Sequence, residues 1–130
     1  TLIGNSGNDT LNGGAGNDTL TGGAGIDVFR FDSALNGATN VDRIIDFTVA
    51  QSDLIQLENA VFTGLPTAGA LAATAFAISP AATTAAHRIL YNSATGSLLY
   101  DPDGNGLAAA TAFATLNTGL GLTSARFTVT

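Results

Sequence analysis

Three aspartates near the start of the chain, Asp9, Asp18 and Asp27, stand nine residues apart, and each follows a glycine-rich segment. The unit around each aspartate reads G-G-x-G-x-D-x-U-x, in which U is a large apolar residue. Glycine adopts positive φ readily, so such a segment can turn several backbone carbonyl oxygens toward one point. The aspartate adds a carboxylate, and calcium is the cation that takes about six to eight oxygen ligands of these kinds. The pattern therefore predicts calcium-binding loops.

Two such units would form one turn of a coil with a loop at each edge. The loops of residues 4–9 and 22–27 would then lie one above the other with a calcium ion between them, and the loop of residues 13–18 would lie at the opposite edge. We expect Asp53 to complete the site of that middle loop, with a solvated turn as the alternative, and Asp32, Asp42 and Asp46 are weaker candidates. The predicted ligand residues are Gly4, Ser6, Gly7, Asp9, Gly13, Gly14, Ala15, Gly16, Asp18, Gly22, Gly23, Ala24, Gly25, Asp27 and Asp53.

The U positions give each unit one inward-pointing apolar side chain. One such residue cannot make a core within its own unit, so neighbouring units must stack and bury a ladder of them. The alternative is a flexible Gly/Asn linker, which the unbroken spacing argues against. Asn5 replaces the second glycine of the first unit, and Asn tolerates positive φ better than most residues. The ladder residues are Leu2, Leu11, Leu20 and Phe29.

Residues 1–30 resemble the repeats-in-toxin (RTX) calcium-binding β-roll, whose nonapeptide repeat they follow closely. Residues 41–47 and 52–57 are similar to a run, D-x-I-x-D-F followed by D-x-I-x-L, that caps the roll in the C-terminal regions of secreted RTX proteins such as the serralysin metalloproteases. The resemblance implies a mainly all-β fold, a parallel β-roll continued into a β-sandwich-like cap with one short helix. It divides the chain into roll repeats (1–30), capping strands (31–57) and a C-terminal cap (58–130), packed as one compact unit.

The later segments have their own patterns. Residues 67–78 are Ala-rich and predict a short amphipathic helix capped by Thr67. Residues 88–92 and 97–101 flank a Gly-containing turn and predict a β-hairpin in which Tyr91 and Tyr100 pair across the strands. Residues 113–116 predict a strand, residues 122–126 a helical turn, and residues 127–130 a final edge strand.

A second acidic segment resembles the start of an EF-hand loop. Asp101, Asp103 and Asn105 stand at its first, third and fifth positions and Gly106 at its sixth. The twelfth position, which should be a bidentate Glu, is Ala112. A partial calcium site and a plain Asp/Gly turn are both left open here.

Composition excludes several classes of protein. The 130 residues are 45% hydrophobic and 11% charged, which is typical of a chain with a core rather than of a disordered tail. A net charge of −6 provides no basic stripe, so nucleic acid and anionic membrane surfaces are not expected partners, and no apolar run reaches membrane length. Without Cys, disulfides and thiolate chemistry are absent. The sole His, His87, has no adjacent carboxylate or catalytic motif, so no enzyme activity is expected of this segment.

Three functions fit these patterns. The first is a calcium-binding C-terminal module of a larger bacterial protein. The resemblance implies Ca²⁺ as its cofactor, an uncleaved C-terminal signal, a type I secretion transporter as its transient partner, and a secreted or cell-surface location. The second is a structural or adhesive extracellular module, and the third is an enzyme with a hidden site. The chain begins at Thr1 without Met, which predicts a fragment of a longer protein, and we expect this fragment to be monomeric.

Overall fold

The computed structural model describes residues 1–65 and 68–130, in which the chain forms twelve short strands and two 3₁₀ turns. No helix in this described part is long and apolar enough to cross a membrane. The strands are β1 Leu2–Ser6, β2 Thr10–Leu11, β3 Thr19–Ala24, β4 Val28–Phe31, β5 Asp42–Ile44, β6 Leu54–Leu57, β7 Gly69–Ala70, β8 Phe76–Ile78, β9 Ile89–Asn92, β10 Ser97–Tyr100, β11 Thr111–Thr115 and β12 Phe127–Val129. The 3₁₀ turns are Ala73–Ala75 and Ser124–Arg126.

The first six strands alternate between two sheets and wind as a parallel coil. The seven-stranded sheet has the order β1-β3-β5-β11-β10-β9-β8, and the five-stranded sheet has the order β2-β4-β6-β12-β7. Strand β1 pairs in parallel with β3, with Leu2 opposite Leu20, and β2 pairs in parallel with β4, with Leu11 opposite Phe29. Each turn of the coil therefore contains two repeat units, and the predicted mainly β fold with parallel roll strands is confirmed.

The ladder of apolar residues fills the space between the two sheets. Leu11, Leu20 and Phe29 are buried and belong to one core that extends to Val129. Leu2 is the exception, with 36% of its surface exposed, because β1 is the outermost strand of its sheet. Leu2 thus continues the ladder on the face of Leu20, but its burial is incomplete at this described end of the coil.

The hairpin extends the seven-stranded sheet beyond the coil. Strands β9 and β10 pair in antiparallel, and the turn closes where Gly96, at φ +82°, donates its N–H to the Asn92 carbonyl at 2.7 Å. The hairpin prediction is confirmed, but Tyr91 lies opposite Leu98 and not opposite Tyr100. Strand β10 then pairs with β11, which runs parallel to β5 and joins the hairpin to the coil.

The helix predicted for residues 67–78 is not formed in the described part of that segment. Residues 68–78 contain β7, a 3₁₀ turn and β8, and the predicted cap Thr67 lies outside the described residues. Strand β8 pairs in parallel with β9, and the Phe76 ring lies 5.1 Å from that of Phe127. Strand pairing and aromatic packing thus outweigh the intrinsic helix propensity of alanine, which tertiary contacts commonly override.

The last strand lies inside its sheet. Strand β12 pairs in parallel with β6 and in antiparallel with β7, and Phe127 and Val129 are both buried. The expectation of an edge strand at residues 127–130 is therefore wrong. The C-terminal residues form an integral part of the five-stranded sheet that begins in the roll.

Candidate metal sites

The three repeat loops share one backbone conformation. We name them loop 1 (residues 4–9), loop 2 (residues 13–18) and loop 3 (residues 22–27). The second and fourth residues of every unit have positive φ, and Asn5 adopts the same conformation as the glycines that hold its position in the other units. The values are Asn5 +79°, Gly7 +113°, Gly14 +77°, Gly16 +117°, Gly23 +102° and Gly25 +135°.

Loops 1 and 3 stack at one edge of the coil, which we call the first edge, and we call the space between them the lower gap. The Asp9 N–H donates to Asp27 Oδ1 at 3.0 Å, and the Gly7 N–H donates to the Ala24 carbonyl at 2.8 Å. A Cβ on Gly23 would lie only 2.7 Å from the carbonyl carbon of Asn5, so glycine is required for this approach. The stacking is the arrangement that the nine-residue period predicts.

Two carboxylate oxygens of the stacked loops 1 and 3 lack protein partners. Asp9 Oδ2 and Asp27 Oδ2 are both buried, and neither accepts a hydrogen bond from any residue that the structure describes. A Cβ on Gly4 would lie 2.6 Å from Asp9 Oδ2 and 2.5 Å from the Gly22 carbonyl oxygen, so oxygens of both loops come close together beside Gly4. Buried anionic oxygens are costly unless a cation or a donor compensates them, and these oxygens are of the type that calcium prefers.

Most other ligands in the lower gap would have to be backbone oxygens. Within residues 1–65 and 68–130, no group of three or more His, Asp or Glu side chains is placed to hold a metal. This agrees with loops that contain one carboxylate each. Of the predicted ligand residues, Gly4, Ser6 and Gly7 lie in loop 1, and Gly22, Gly23, Ala24 and Gly25 lie in loop 3 facing it.

Loop 2 lies at the opposite edge, which we call the second edge, and Asp42 covers it. The Asp18 N–H donates to Asp42 Oδ1 at 3.0 Å, the contact that Asp9 makes with Asp27. The Gly16 N–H donates to Asn40 Oδ1 at 2.9 Å, which fixes the covering segment further. Burial raises the pKa of Asp42, and the negative charge of Asp18 adds to this, against the hydrogen bond from the Asp18 N–H. The sequence makes Asp42 only a weak candidate, but the structure brings it to Gly13 and Asp18 of loop 2, the loop that also contains the predicted ligands Gly14, Ala15 and Gly16.

Asp53 does not lie at loop 2, and this placement from the sequence is wrong. The Asp27 N–H donates to Asp53 Oδ1 at 3.1 Å, so Asp53 covers loop 3 at the first edge. Burial raises the pKa of Asp53, hydrogen bonds from the Thr48 and Asp27 N–H groups oppose this, and the charges of Asp27 and Asp46 add to it. The D-x-U triplets that begin at Asp42 and Asp53 are the sequence signal for the correct placement. Successive triplets alternate between the two edges, so Asp42 belongs to the second edge and Asp53 to the first.

The other acidic candidates have protein partners. Asp32 Oδ2 accepts from Asn12 Nδ2 at 2.9 Å and from Arg30 Nε at 3.0 Å, and these bonds lower the pKa of Asp32. In the segment that resembles an EF-hand, Asp101 Oδ1 accepts from the Asp103 N–H, and Asp103 Oδ2 accepts from the Ala108 N–H. The Asn105 N–H donates to the Thr84 carbonyl, so hydrogen bonds also tie this segment to residues outside it.

Comparison with known families identifies the repeats. Residues 1–29 match the RTX calcium-binding nonapeptide repeat in four copies. These residues are therefore an RTX calcium-binding repeat domain, a structural module rather than a catalytic one. No curated protein matches the chain. No solved structure matches it either.

Proposed function

We propose that this chain is the calcium-binding C-terminal module of a larger bacterial protein that is secreted by the type I route and folds on calcium binding outside the cell. The observation that carries the proposal is the pair of buried, unpartnered oxygens, Asp9 Oδ2 and Asp27 Oδ2, in two stacked repeat loops. RTX repeats are typical of type I-secreted proteins, which supports the export route and a secreted or cell-surface location.

The charges of the loops explain why folding would require calcium. Asp27 Oδ1 accepts from the Asp9 N–H across the gap, Asp9 Oδ2 and the Gly22 carbonyl both lie beside Gly4, and six residues of positive φ must be ordered around the three loops. Like charges and ordering entropy both oppose this arrangement. When bound, calcium supplies the positive charge that the gap lacks. Because the loops form a site only when stacked, a ligand that binds the folded state alone shifts the equilibrium toward it.

The C-terminal residues would carry the export signal, as the resemblance to type I substrates implies. In the folded chain Phe127 and Val129 are buried within a sheet. A transporter would therefore read this segment before folding. A cytosol that is poor in calcium would keep loops 1 and 3 from stacking until export is complete.

Calcium titration of the whole chain tests the site. Replacing both carboxylates, Asp9→Asn with Asp27→Asn, should lower the number of bound ions by at least one, measured by isothermal titration calorimetry. Asp32→Asn is the matched control, because Asp32 is bonded to Asn12 and Arg30 outside the loops. Unchanged stoichiometry in the double variant would show that the lower gap is not a calcium site.

A further inference from the structure

A second gap at the first edge is closed by the protein itself. This upper gap lies between loop 3 and residues 46–53, and two aspartates of the later segment fill it. All four of their carboxylate oxygens accept backbone N–H groups. Asp46 Oδ1 accepts from Gly22 at 2.9 Å, Asp46 Oδ2 from Gly23 at 2.8 Å, Asp53 Oδ1 from Asp27 at 3.1 Å and Asp53 Oδ2 from Thr48 at 2.9 Å.

The lower gap differs in this respect. There, Asp27 uses Oδ1 to accept from the Asp9 N–H and leaves Oδ2 buried without a partner among the described residues. In the upper gap, Asp53 makes the equivalent bond with Oδ1, but its Oδ2 turns to its own segment and accepts from Thr48. The oxygen that would face a cation is thus already bonded to a donor.

The backbone of the upper segment also departs from that of the loops. In residues 46–53 the only described residue with positive φ is Ser52, at +71°, and it is not at the second or fourth position of a repeat. Repeat loops turn their carbonyls with two such residues each. Without them, the segment presents carboxylates that accept N–H groups and does not present the carbonyl oxygens that a calcium site needs.

We propose that the upper gap binds no ion and that Asp46 and Asp53 close it in the place of calcium. Two N–H groups of loop 3 donate to the Asp46 carboxylate and a third donates to the Asp53 carboxylate. These charge-assisted hydrogen bonds compensate the negative charges of the two carboxylates. The last coil turn therefore forms without calcium. It holds loop 3 from above and presents Asp27 to loop 1, so that only the lower gap depends on the metal at this edge.

This inference rests on the proposed function only in taking the lower gap as a calcium site. Single variants of the whole chain show which of the two gaps binds calcium. Asp46→Asn and Asp53→Asn should each leave the calcium stoichiometry unchanged in calorimetry and should lower the melting temperature equally in calcium and in EGTA. Asp27→Asn, the matched variant at the lower gap, should lose an ion. Loss of an ion in Asp46→Asn or Asp53→Asn would overturn the inference and make the upper gap a metal site.

Hydrogen exchange of the wild-type chain in EGTA tests the same point without a variant. We expect protected N–H groups at Gly22, Gly23 and Thr48 and fast exchange at Asp9, whose acceptor lies across the lower gap. Fast exchange at all of these while the β9–β10 hairpin stays protected would overturn the inference, as would complete unfolding in EGTA. A wild-type chain that binds no calcium but keeps this protection would refute the proposed function and support the closed gap.

Discussion

The aspartates of this chain divide by how many of their oxygens have protein partners. In Asp46 and Asp53 both oxygens accept N–H groups, whereas Asp9 and Asp27 each bury one oxygen without a described partner. The D-x-U triplet alone does not separate Asp27 from Asp53, because each begins one. The difference comes from Thr48, whose N–H reaches Asp53 Oδ2 within one turn.

The close approach of the loops gives a prediction at the residue scale. Gly23 and Gly14 both hold the second position of a unit at positive φ, so an alanine at either is strained by about 1–3 kcal/mol. At Gly23 the new Cβ would also meet the Asn5 backbone, whereas at Gly14 nothing lies within 4 Å. Gly23→Ala should therefore lower the unfolding free energy in calcium more than Gly14→Ala does. Equal losses in chemical denaturation would contradict the stacking.

At the scale of elements, the sequence predicts the repeats and the local pairings well. The strict period implies the stacking of loops 1 and 3, and Gly96 with its flanking alternation implies the hairpin. The period assigns Asp53 to the wrong edge of the coil because the later turns of the coil contain more residues than the first. Asp9 and Asp27 are 18 residues apart, but the next stacked pairs are 24 and 26 apart. The helix prediction for residues 67–78 is wrong in the described part of that segment because β8 pairs with β9, and no local sequence pattern shows this pairing.

Strand burial gives a prediction at this scale. Leu20 is completely buried between the sheets, whereas its β1 partner Leu2 is partly exposed at the outermost strand. Leu20→Ala should lower the unfolding free energy by about 2–5 kcal/mol, and Leu2→Ala should lower it by much less. Denaturant titrations in saturating calcium measure both. Equal effects would mean that β1 is covered in solution.

At the scale of the whole molecule, the proposed function would make the C-terminal strand connect export to folding. Strand β12 joins the coil at β6, with Phe127 opposite the buried Ile55. Under the proposed function the same residues are read by a transporter when unfolded and pack against the roll when folded. The two roles exclude each other in time, so early folding would hide the signal.

Deleting residues 123–130 from the parent protein separates these roles when it is compared with Ile55→Ala. Both changes remove packing between β6 and β12, and the substitution should cost about 2–5 kcal/mol of folding free energy. In a host with the cognate transporter, the deletion should abolish export while the chain accumulates inside, and Ile55→Ala should still be exported and fold less stably in calcium. Export of the deleted chain would place the signal elsewhere. A block in both variants would mean that export depends on packing of the sheet, because the substitution leaves the tail sequence intact.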